Sequence, residues 1–213
     1  MSGRLNLCFD WRAMGSVAYF PLAVVVAVIG YVRLKEAQLG IVLPALEFTL
    51  PVFAAWWSIF LFYDVLEEEG TETILSYPLA RWKLGALRVG VFFLGYFALV
   101  VLVVALTVYW SGTDAFFPLV YQLGVESFFF AAVGFFTMVV TANSGWSLVV
   151  LIVYTSTQLL TEGHLLPFTN VYLFNNAPVQ RDLLREWSVY VLAASGALFL
   201  TAQWLLQRMQ RFN

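Results

Sequence analysis

Long uncharged apolar runs, separated by short polar or charged stretches, recur along the whole chain. A helix needs ~20 mostly apolar residues to cross a hydrocarbon core ~30 Å thick, because each residue rises about 1.5 Å. Runs of that kind predict crossings over 13–32, 44–63, 89–113, 117–141, 146–161 and 187–207. Glu47 interrupts the second near one end, where water at the boundary is expected to hydrate it, and Glu126 lies inside the fourth. Asn143, Ser144 and Gly145 form a turn signature that divides the fourth crossing from the fifth. The expected fold class is all-α: a polytopic membrane protein with six transmembrane helices, forming a single transmembrane domain over 1–213.

The flanks add detail. Leu5, Leu7, Trp11 and Met14 alternate with polar residues ahead of the first crossing, which predicts an amino-terminal interfacial helix. The first run leads directly into a multi-span chain and lacks a convincing cleavage site, so it is read as a crossing and not as a signal peptide. Pro167 and Pro178 punctuate the stretch between Glu162 and Glu186, which still carries Leu165, Leu166, Phe168, Tyr172, Leu173 and Phe174. That mixture predicts short helical pieces dipping into the membrane. Cations set the orientation. Arg4, Arg12, Arg81, Lys83, Arg88, Arg208 and Arg211 fall on one side, and only Arg33, Lys35, Arg181 and Arg185 on the other. Both termini are therefore expected in the cytoplasm.

Composition closes off other classes. The chain of 213 residues is 62% hydrophobic, 18% aromatic and 11% charged, whereas soluble domains are typically ~25% charged. The formal net charge of -2 gives no basic field for nucleic acid. Cys8 is the single cysteine, so no intrachain disulfide and no cysteine-built metal site is available. His164, the single histidine, falls in the loop after the fifth crossing, which leaves no His-based catalytic triad or metal site within the membrane. No catalytic residue and no metal ligand is nominated.

One connection stands apart. Between the second and third crossings, Asp64, Glu67, Glu68, Glu69 and Glu72 precede Arg81, Lys83 and Arg88. Gly70 breaks the descending helix, Thr71 is placed to cap a new one, and Glu72 suits its positive first turn. Ile74 and Leu75 supply an apolar patch, and Pro78 ends the piece. The pattern predicts a short helix across the cytoplasmic face, acidic at one end and basic at the other. An ordinary charged loop that enforces topology is the plainer reading, although acidic residues contribute little to orientation.

Residues 68–81 read Glu-Glu-Gly-Thr-Glu-Thr-Ile-Leu-Ser-Tyr-Pro-Leu-Ala-Arg. This resembles the coupling-helix signature of the type-2 ATP-binding-cassette (ABC) transporter permeases, between the second and third of six helices. Trp11 to Tyr19 is similar to that family's approach to its first helix. Gly70 to Pro78 is a residue shorter than the usual pattern, and Thr73 stands where a glutamate is common. The resemblance implies a permease subunit, usually of an exporter, in a bacterial or archaeal cytoplasmic membrane. It implies pairing with a second permease copy or homologue, contact with membrane lipid, and two ABC ATPase subunits that hold ATP and Mg. The chain would not be an enzyme by itself, and no Gly-x-x-x-x-Gly-Lys-Ser/Thr phosphate loop occurs in it. Glu67, Glu68, Glu69, Gly70, Thr71, Glu72, Ile74, Leu75, Pro78 and Arg81 would then couple it to the ATPase.

Three further residues are candidates for the substrate pathway. Trp56 and Trp57 give the second crossing a bulky aromatic middle, for which interhelical or lipid packing is the alternative. Glu126 is an intramembrane carboxyl, costly unless it faces a partner or a cavity. It serves either as a functional group or as a structural clasp to a neighbouring helix. Two rival functions stay open: an ATP-independent secondary transporter or channel using Glu126, and a structural subunit of a larger membrane complex.

Overall fold

The computed structural model describes residues 7–67, 82–165 and 169–209. Most of these are helical, with no strand among the described residues. A short helix α1 (Leu7–Ala13) precedes α2 (Phe20–Leu34), which is entered through a tight 3-10 turn at Gly15–Tyr19. Then follow α3 (Leu39–Phe60), α4 (Arg88–Ser111), α5 (Phe116–Thr141), α6 (Ser144–Thr161) and α7 (Arg181–Arg208). Single wide π-helical turns sit at Tyr63–Glu67 and Lys83–Leu87, on either side of the stretch between α3 and α4. Six helices, α2 to α7, are long and apolar enough to cross a membrane. The chain is a multi-pass helical membrane protein.

The second and sixth crossings start five or more residues before the apolar runs suggest. The second begins at Leu39 and not at 44, and carries Pro44 and Pro51 inside it. The sixth begins at Arg181 and not at 187, because Arg181, Asp182, Arg185 and Glu186 extend the helix beyond its apolar part. The stretch before it differs more. Residues 170–180 form no helix, so the expected helical pieces are absent there. Irregular backbone replaces them, with Val171 and Tyr172 each 3% exposed.

α5 is the axis of the bundle. It packs against α3, α4, α6 and α7, and 78% of its most apolar window is buried, against 22–44% for the other crossings. Side chains such as Val26, Leu94, Tyr109, Ile152, Tyr190 and Leu200 project outward from the remaining helices, a surface suited to lipid. The tightest crossing joins α5 to α3. A Cβ added at Gly134 would lie 2.7 Å from the Ala55 carbonyl oxygen, so only glycine permits that approach. Trp57 locks α3 to the start of the first crossing by donating its indole N–H to the Ala18 carbonyl at 2.9 Å, and Trp56 does the same to Val17 at 3.1 Å.

Candidate functional site

Polar chemistry gathers at both ends of this bundle. At the end that carries α1, Arg88 is 3% exposed at the start of α4. Its Nη2 lies 3.0 Å from Asp10 Oδ1 of α1 and 3.8 Å from Asp64 Oδ2 in the turn after α3. The guanidinium also stands 6.0 Å above the Phe62 ring. Burying a cation here is tolerable because both carboxylates come with it.

Glu67 holds a second junction. Its Oε2 accepts the Ser144 backbone N–H at 2.7 Å and its Oε1 the Asn143 side-chain amide at 3.2 Å. Asn143 in turn caps α6 by accepting the Trp146 N–H at 2.9 Å. A carboxylate is therefore seated on the positive end of a helix, where unpaired N–H groups and the helix dipole both favour it. A third tie runs to α7, where Gln203 Oε1 accepts the Ala86 N–H at 2.7 Å. The two ends of the α3–α4 connection thus touch α1, α6 and α7 through specific polar contacts.

At the opposite end, hereafter the far end, lies the second cluster. Glu47 is 2% and Glu126 0% exposed, and their carboxyl groups meet within hydrogen-bonding reach inside the bundle. Glu47 is not hydrated at a boundary as its place in the sequence suggests. It sits about 12 Å along α3 from Leu39, beneath the irregular stretch after α6. Glu47 Oε1 accepts the backbone N–H of Leu173 and, at 3.2 Å, that of Phe174. Phe174 has φ 51, and two successive N–H groups with such a left-handed residue form a nest around an anionic oxygen. Gln122, one turn before Glu126, donates its amide to Glu126 Oε1 at 3.2 Å. Tyr154 of α6 ties the same stretch by donating to the Thr169 carbonyl at 2.5 Å. Burial holds the Tyr172 phenol well above its ordinary pKa.

The sequence-predicted residues divide accordingly. Glu67 is in place at the α6 terminus, but as a cap within the chain. Glu68, Glu69, Gly70, Thr71, Glu72, Ile74, Leu75, Pro78 and Arg81 lie outside the described residues. Trp56 and Trp57 are tied to the first crossing nearer the α1 end, while Glu126 meets Glu47 about 15 Å away along α3, so the three do not share one site. Arg88 with Asp10, and Glu47 with Glu126, were missed as pairs. A groove of about 500 Å³ opens between Phe117, Pro118 and Tyr121 of α5 and Leu184 and Arg185 of α7, largely apolar in its lining. No family model, no curated protein and no solved structure matches this chain.

Proposed function

We propose that the chain is the permease subunit of an ABC transporter, an exporter, working with separate ATPase subunits and a second permease copy or homologue. The α1 end then faces the cytoplasm, with α1 along the membrane surface and residues 68–81 as the coupling element. One observation carries the reading. The flanks of that element are tied by Arg88, Asp64, Glu67 and Ala86 to α1, α4, α6 and α7, so a push on it would reach most of the bundle. A slack topological loop has no need of such anchorage. Glu68 and Glu69 would offer charge-assisted contacts to the motor, and Ile74 and Leu75 a small dry centre.

Purification of the full chain from its own membrane, followed by mass spectrometry, tests this. A subunit bearing ATPase phosphate-loop motifs should accompany the wild type and be lost from a Glu68→Arg/Glu69→Arg variant that still inserts. Recovery of intact chain with no ATPase, or undiminished ATPase with the variant, refutes the proposal. The buried carboxyl pair favours a second reading, an ATP-independent transporter using Glu126, and the same experiment separates the two.

A further inference from the structure

The far-end cluster has more hydrogen-bond acceptors than hydrogens to fill them. Glu47 Oε1 is satisfied by the Leu173 and Phe174 amides, and Glu126 Oε1 by Gln122. Glu126 Oε2 and Gln122 Oε1 are buried without a donor. Gln122 is 1% exposed and its amide also lies within reach of Glu47, so its unpartnered oxygen is held among the carboxyls. Two carboxylate groups in hydrogen-bonding contact repel unless a hydrogen lies between them. Among the described side chains, no lysine, arginine or histidine forms an ion pair with either one, and none supplies a neutralising positive charge.

We propose that Glu47 and Glu126 form a proton-binding site, with Gln122 as its neutral partner, which exchanges its proton with water at the far end. The inference rests on neither reading of the overall function. The nest of backbone amides favours Glu47 as the charged side, because two N–H dipoles converge on its Oε1 and stabilise negative charge there. Glu126, which receives a single amide, carries the shared proton. Exchange is an O–H ionisation: the proton passes from the pair to water, and no other bond forms or breaks. The route is the irregular stretch itself, whose hold on Glu47 consists of two amide hydrogen bonds. Among the described side chains, the titratable groups facing the pair are Tyr154 from α6 and Tyr172 from that stretch. Both are phenols and neither supplies a countercharge.

Infrared spectroscopy of the full chain reconstituted in lipid bilayers reads this directly. The wild type should show a protonated-carboxyl carbonyl band that shifts on transfer to heavy water and is lost as pH is raised from about 5 to about 10, bracketing the carboxyl-to-phenol range. Glu126→Gln should abolish that band and Glu47→Gln should displace its frequency and titration midpoint by removing the proton's acceptor, while Glu162→Gln, at an exposed position, leaves it unchanged. Glu126→Asp should keep a titrating band with a displaced midpoint, which guards against loss through misfolding. A band that neither exchanges nor titrates identifies a sealed structural clasp and overturns the proposal. So does a wild type without the band at any pH, or a band that survives in a folded Glu126→Gln variant.

Discussion

Replacing Arg88 by methionine keeps much of the length of the side chain and deletes its charge, leaving Asp10, 7% exposed, without its partner. At an effective dielectric of ~20, the attractions at 3.0 Å and 3.8 Å amount to roughly 5 and 4 kcal/mol before any desolvation is counted. Desolvation cancels most of that in the intact cluster, but a carboxylate abandoned in the interior does not recover it. Breaking such a pair costs about 3–5 kcal/mol. The two aspartates are not equivalent. The Asp64 side chain is 22% exposed and farther away, so Asp64→Asn should cost only about 0–1 kcal/mol. Asp10→Asn, at 11% side-chain exposure and 3.0 Å, should cost about 1.5–3 kcal/mol. The double variant Arg88→Met/Asp10→Asn should be less damaged than the sum of its parts, since no isolated charge remains at that pair. Unfolding by denaturing detergent in mixed micelles, followed by tryptophan fluorescence, measures all four. Equal losses for the two aspartate variants, or strict additivity of Arg88→Met and Asp10→Asn, would refute the reasoning.

The other predictions use the same unfolding assay. Glu67→Ala and Asn143→Ala should each cost about 1 kcal/mol through the lost α6 cap, and should couple because the two side chains are bonded to each other; independent effects would dissolve the proposed junction. Gly134→Ala should destabilise by about 1–3 kcal/mol because its new methyl meets the backbone of α3 and not a yielding side chain, and a neutral result would show that the two helices are not that close. Tyr172→Phe should be close to neutral at pH 7, since the buried hydroxyl has no hydrogen-bond partner. Above about pH 10 the unfolded chain ionises at this phenol while the folded chain holds it neutral, so stability falls as pH rises. The variant should fall less steeply, and an unchanged slope would contradict the burial argument.

Apolar length made the crossings legible, because the bilayer imposes it on every spanning helix alike. Their edges were less so. Pro44 reads as a boundary, yet it lies in the second turn of α3, past the first-turn position where proline costs little, and packing against neighbouring helices carries it. Arg181, Asp182, Arg185 and Glu186 read as lying before the last crossing, whereas a helix can run past its apolar segment and carry them on its first turns. The clusters were not legible as pairs. Periodicity places Glu126 within α5, but which helix faces it depends on the packing order, and Glu47 lies on a helix distant in the chain. Arg88 looked like one more cation enforcing orientation. Only the fold of α1 back onto α4 shows that it is buried with Asp10.

Glu47 grips the Leu173–Phe174 stretch by its main chain, a handle that any amino acid other than proline supplies. Substitution at its exposed positions, such as Asn176 and Ala177, can therefore remodel what the molecule presents to its surroundings while the attachment stays intact. Variation there is limited by the buried Val171 and Tyr172 and by the Tyr154 tie, while the main-chain grip itself asks only for one glutamate in a neighbouring helix.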